Sequence, residues 1–101
     1  MVKLVAMYKT PQDAEMFDKH YNEVHMPLVA KIPGLIKAEV SKLKALPGTE
    51  SGFYMMTEMY YENMDAFNAA MGSAEGKASA RDIANFAKNN VEFYLGKVDN
   101  I

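Results

Sequence analysis

The sequence predicts an α+β fold with the element order βαββαβ, a four-stranded antiparallel sheet carrying its helices on one face. Three observations point there. Four short runs, at residues 2–8, 35–45, 53–61 and 91–98, are dense in β-branched, aromatic and Met side chains or alternate apolar with polar. The first and second runs, and the third and fourth, are separated by stretches whose apolar residues recur at helical spacing. Capping residues and Pro-Gly pairs mark the boundaries.

Each element has a local cause. Residues 2–8 form an apolar strand closed by Lys9-Thr10-Pro11. Asp13 can cap the first helix, and Glu15 suits the positive end of its dipole. Phe17, Tyr21, Val24 and Leu28 then fall on one narrow stripe, and Pro33-Gly34 stops the helix. In residues 35–45, Ile36, Ala38 and Val40 alternate with Lys37, Glu39 and Ser41, the period of a half-buried strand. Residues 46–52 read as a turn-rich connection, followed by strand three over residues 53–61. Asn63 can cap a second helix carrying Met64, Phe67 and Met71. Gly72-Ser73 interrupts that helix, and Ser73 recaps a continuation to Phe86, with Ala80, Ile83, Ala84 and Ala87 on one face. Strand four covers residues 91–98.

This order is the ferredoxin-like pattern. Its helices shield one sheet face, so a monomer needs a polar second face. Strand three offers Phe53, Met55 and Met59 on one parity, but Tyr54, Met56 and Tyr60 on the other. Strands one and four also place apolar side chains on both parities. About half a dozen large side chains exposing roughly 60–80 Å² each would form a patch near 400 Å². Covering it contributes about 10 kcal/mol per subunit before association costs. A homodimer with sheets packed face to face is therefore expected.

Composition excludes much else. The chain of 101 residues is expected to be a single domain over residues 1–101. Half its residues are apolar, and the net charge is −2 with no basic patch, so neither nucleic acid nor an anionic membrane is an expected partner. With no cysteine, thiolate metal sites, disulfides and cysteine nucleophiles are excluded. No signal peptide or membrane-length apolar run is evident, and a cytoplasmic location is expected. No glycine-rich phosphate loop or nucleophile elbow occurs.

The chemistry points to His20 and His25, the two histidines of the chain, because imidazole changes charge near neutral pH. On a regular helix they lie about 140° apart, too divergent to grip one metal ion, and no metal site is expected. Pro27 lacks an N–H and crowds the carbonyl of Glu23. The helix should therefore break or kink there, with Met26 pushed from helical angles and Pro27 opening a second short helix that ends before Pro33. His25 would sit at that discontinuity, near free carbonyls and a helix N-terminus that keeps it neutral as a base or hydrogen-bond donor. A purely structural role, satisfying a loose carbonyl at the kink, is the alternative.

The segment His20-Tyr21-x-x-x-His25-x-Pro27-Leu28, followed by Lys31-x-Pro33-Gly34-Leu35, resembles the signature of the EthD family within the dimeric α/β-barrel superfamily. Leu4-Val5-Ala6-Met7-Tyr8-Lys9, Ser73-x-Glu75-Gly76 and Asp82-x-x-Asn85-Phe86-Ala87 match as well, so the likeness spans the chain. Ala74 departs from the proline common in such proteins. The resemblance implies a ferredoxin-like dimeric α/β barrel with a cavity for small organic molecules between helices and sheet. The family is named after a protein needed alongside a cytochrome P450 system that degrades an ether fuel additive. Barrel relatives include cofactor-independent monooxygenases, cyclases, dehydratases and isomerases, and some bind haem through a histidine. Nothing in this chain requires haem, and no cofactor is expected. An oxidoreductase or catabolic role follows by analogy, although fold does not fix the reaction.

His25 is the candidate acid/base, with His20 or Tyr21 orienting the substrate or donating a proton. Phe17, Tyr54, Met56, Phe86, Phe93 and Tyr94 are the candidate walls of a pocket for a small hydrophobic ligand. Two functions are open: an enzyme without bound cofactor, or a non-catalytic carrier serving a partner oxygenase.

Overall fold

The structure, a computed structural model, describes residues 1–50 and 52–99. Its elements are β1 (Val2–Lys9), α1 (Ala14–His20), a π-helical turn (Tyr21–His25), α2 (Met26–Ala30), β2 (Lys37–Lys42), β3 (Phe53–Tyr61), α3 (Met64–Gly72), α4 (Ala74–Phe86) and β4 (Val91–Lys97). All pairings are antiparallel, and the sheet order is β2-β3-β1-β4. This is the ferredoxin-like arrangement expected from the element order.

The expected caps form. Asp13 accepts from Met16 N–H, Asn63 from Ala66 N–H, and Ser73 both ends α3 and accepts from Gly76 N–H to start α4. That corner requires a glycine: a Cβ on Gly76 would lie 2.1 Å from the Ala70 carbonyl oxygen. Strand two is shorter than the expected 35–45 because its regular ladder ends at Lys42. Single bonds from Ile36 N–H to Tyr60 O (2.8 Å) and from Leu43 N–H to Tyr54 O (2.9 Å) flank it. Strand four stops at Lys97, although Val98 N–H still reaches Met1 O at 3.0 Å.

Register settles which parity faces the helices. Val2, Ala6 and Tyr8 of β1 and Met55, Thr57, Met59 and Tyr61 of β3 are buried on the helix side, against Phe17, Tyr21, Val29, Ile32, Ala70 and Ala87. Each large buried side chain contributes about 1.5–3 kcal/mol, so this layer holds the helices to the sheet. The other face presents Val5, Met7, Met56, Tyr60 and Tyr94 among the ion pairs Lys3–Glu58 and Lys37–Glu39. Tyr54 departs from the expected parity. Lys9 pairs with Phe53 while Tyr8 pairs with Met55, so Tyr54 is the extra residue of a bulge. Its ring meets Phe17 edge-on at 5.7 Å, and its hydroxyl bonds Asp18 on the helix side.

Candidate active site

The site begins with the proline. Pro27 has no N–H, so an α-helical ladder loses a bond at this point and crowds a carbonyl. The chain answers one turn upstream. Residues Tyr21–His25 widen into a π turn, closed by Met26 N–H on the Tyr21 carbonyl five residues back. Met26 keeps helical angles (φ −62°, ψ −36°), contrary to the extended conformation expected before a proline. The helical run therefore continues into α2 without a break, with Pro27 in its first turn.

That turn also overturns the expected divergence of the histidines. The 140° separation holds only for a regular α-helix. A turn closed i to i+5 takes in one more residue, so five residues bring the chain back close to its starting direction. Both imidazoles consequently face α4 and meet one carboxylate. His20 Nε2 lies 2.9 and 3.1 Å from the two oxygens of Asp82, and His25 Nδ1 lies 2.9 Å from Oδ2. Asn85 Nδ2, one turn along α4, donates to Oδ1 at 3.0 Å.

Burial and charge decide the protonation pattern. Asp82 is 5% exposed and His25 3%. Burial works against ionisation of Asp82, but the hydrogen bonds from Asn85, His20 and His25 outweigh it and hold the carboxyl below its ordinary value. Burial lowers the proton affinity of His25, and the bond to Asp82 pulls it back only in part. Asp82 is thus a carboxylate and His25 a neutral imidazole at neutral pH. A carboxylate only accepts, so the Nδ1 of His25 carries the proton and Nε2 keeps a bare lone pair.

Nε2 makes no hydrogen bond among the described residues, and His25 borders a cavity of about 270 Å³ between helices and sheet. Leu4, Ile32, Met59, Phe67, Met71 and Phe93 supply its apolar wall. Its other polar side chains are Tyr8 of β1 and Ser79 of α4. The arrangement resembles the orienting half of a catalytic triad, an imidazole fixed through Nδ1 by a carboxylate, its other nitrogen unbonded, on a residue that lines a ligand-sized space. No group of three His, Asp or Glu side chains among the described residues is arranged to hold a metal ion; the imidazoles here aim at the carboxylate oxygens themselves.

The other expected site residues scatter. Phe86 packs on both histidine rings, 4.8 Å from His25 and 5.2 Å from His20 between centroids, and Phe93 lines the cavity mouth. His20 is half-buried and opens onto a separate surface groove of about 470 Å³ shared with Asp13, Phe17 and Asn85. Tyr21 does not reach the cavity: its hydroxyl bonds Thr57 in the core, and burial raises its pKa to about 12, the Thr57 bond opposing this. Phe17 belongs to the same aromatic cluster, stacked at 6.0 Å on Tyr21. Tyr54 is engaged with Asp18 and Lys42. Met56 and Tyr94 lie on the opposite face of the sheet, where Tyr94 bonds Glu92 at 3.2 Å. The residues that sequence reasoning did not assign are Asp82, Tyr8, Ser79 and Asn85. The face of α4 turned inward carries Gly76, Ser79 and Asp82, while Ala80 and Ala84 are exposed. An acid and an amide three residues apart beside an apolar stripe were the available signal.

The sequence pattern of the EthD domain matches residues 9–90. The chain belongs to the EthD family. An EthD family protein from Bacillus halodurans C-125 superposes with a TM-score of 0.93 at 42% identity, covering 98% of this chain and 99% of that one. This EthD chain is also 34% identical over 91 residues to an uncharacterized 11.0 kDa protein from the thcB–thcC intergenic region of Rhodococcus erythropolis, spanning 90% and 88% of the two. SnoaB, a cofactor-independent oxygenase from Streptomyces nogalater, shares the fold with a TM-score of 0.72 at 13% identity, covering 99% and 94%.

Proposed function

We propose that this EthD protein binds a small hydrophobic organic molecule in the cavity and moves a proton on it, with His25 as acid and base and no bound cofactor. The observation that carries this reading is the buried Asp82–His25 pair with Nε2 left bare at an apolar chamber. A neutral imidazole held by a carboxylate takes a proton at Nε2, and Asp82 stabilises the imidazolium that results. The same nitrogen can return the proton to another atom.

The protein also works as a homodimer in this reading. Val5, Met7, Met56 and Tyr94 leave an amphipathic sheet face that a second copy would cover. No helix among the described residues is long and apolar enough to cross a membrane, and a cytoplasmic location fits.

Deuterium wash-in tests the catalytic step without knowledge of the natural substrate. A panel of neutral phenyl ketones and β-diketones is incubated with the protein in D₂O, and exchange of the acidic C–H is followed by NMR. Acceleration by the wild type that falls at least 100-fold in His25→Gln, with binding retained, supports His25 as the base. Binding of the panel with no exchange would instead identify a carrier for a partner oxygenase.

A further inference from the structure

The chamber contains a second polar group whose position suits the far end of the same reaction. Tyr8 of β1 is 1% exposed and lines the cavity, yet its hydroxyl makes no hydrogen bond among the described residues. Its ring is fixed on three sides, edge-on to Phe17 at 5.5 Å and Tyr21 at 5.6 Å and tilted against Phe86 at 5.8 Å. His25 packs against that same Phe86 ring. The His25 and Tyr8 rings therefore both pack on one aromatic side chain, and both residues line one apolar space. A buried hydroxyl left without a partner is costly, which is the expected state of a group whose partner is a ligand.

We infer that Tyr8 donates its O–H to the substrate oxygen on which charge gathers when His25 removes a proton, which makes the ligand a neutral, single-ring-sized carbonyl or phenol compound. This rests on the reading of the cavity as a ligand site. In the step, a C–H bond adjacent to a carbonyl breaks, its proton moves to His25 Nε2, and its electron pair delocalises onto the carbonyl oxygen. Tyr8 holds that oxygen by a hydrogen bond without losing its own proton. Return of the proton from Nε2 to a different atom completes an isomerisation with no other reactant. With a phenol, the O–H breaks and the same pair holds the phenolate. Burial raises the phenol of Tyr8 well above its ordinary pKa, reinforced by the nearby Tyr21 and Asp82, so it stays a donor. At about 30 Å³ per water, the chamber of about 270 Å³ equals roughly nine water volumes. One substituted ring fits there, and the apolar wall disfavours charged or polyhydroxylated compounds.

The test compares 4-nitrophenol with 4-nitrotoluene, which has the same shape but no hydroxyl, by calorimetry and by the visible absorption of bound phenolate. Wild type is expected to prefer the phenol, and Tyr8→Phe to lose that preference by about 10- to 100-fold. The lost preference should leave 4-nitrotoluene binding within about threefold of wild type, because the phenylalanine keeps the ring contacts. Tyr21→Phe removes a phenol from the same cluster outside the cavity and controls for packing. Equal preference in wild type and Tyr8→Phe, with both probes bound, overturns the role of Tyr8 and leaves the ligand site standing. Loss of preference in Ser79→Ala but not in Tyr8→Phe also overturns it. Failure of both probes to bind any protein overturns the ligand site itself, and the role of Tyr8 with it.

Discussion

Replacing Asp82 with Asn probes the organisation of the site most sharply, because that one carboxylate accepts from His20, His25 and Asn85 at 2.9–3.1 Å. Hydrogen bonds to a charged acceptor contribute about 1.5–3 kcal/mol each, against about 1 kcal/mol for neutral ones. The amide oxygen of Asn can serve two of the three donors. Its NH₂ then faces an N–H, leaving one buried donor unsatisfied at about 1–3 kcal/mol. Removal of a desolvated charge offsets part of this loss. The net expectation is a destabilisation of about 2–4 kcal/mol, which for a domain of this size lowers Tm by about 10–25 °C. Calorimetry at fixed protein concentration measures it, with Asn85→Ala as a milder control at about 1 kcal/mol. A Tm within about 3 °C of wild type would refute the idea that Asp82 ties the π turn to α4.

Further outcomes follow from the same geometry. Burial depresses the proton affinity of His25, so the unfolded chain binds more protons below the ordinary imidazole value. Stability should be full above about pH 6.5 and fall as pH drops below it. The depressed carboxyl of Asp82 adds a second loss in the same direction, beginning below about pH 4. Urea titrations of His25→Gln should show the second phase without the first. Tyr21→Phe should cost about 1–2 kcal/mol by orphaning the Thr57 hydroxyl while leaving probe binding unchanged, as chemical denaturation and calorimetry can show. Tyr61 carries a buried hydroxyl with no partner among the described residues. Tyr61→Phe should therefore be neutral or stabilise by up to about 1 kcal/mol in the same denaturation assay. Met7→Glu places a charge in the centre of the outer sheet face and should shift a dimer to monomer in sedimentation.

What the sequence shows and what it hides divide along the range of the interaction. The Asp13, Asn63 and Ser73 caps and the helix end before Pro33-Gly34 are local, and each is found in the structure, whereas the alternation of residues 36–41 leaves Ile36 and Val40 exposed. The bulge at Tyr54 escapes alternation because one inserted residue reverses every parity before it. The convergence of His20 and His25 was hidden for two reasons. A helical wheel assumes about 100° per residue, and Pro27 is accommodated by a π turn instead of a break. Their shared partner lies 57 and 62 residues further along the chain, beyond any spacing rule. The aromatic side chains were legible as a class but not by destination. Of the aromatic residues expected at the site, Phe17 and Tyr21 went to the core and Tyr94 to the outer face, and Phe93 reached the chamber, with Phe86 against the histidines.

The central claim concerns one nitrogen atom, and ¹⁵N NMR of the imidazoles reads it directly. With His20→Gln leaving a single histidine to observe, His25 should show a protonated Nδ1 and a bare Nε2 at neutral pH, and it should gain a proton only below the range of an exposed imidazole. A protonated Nε2, or an imidazolium at neutral pH, would contradict the account.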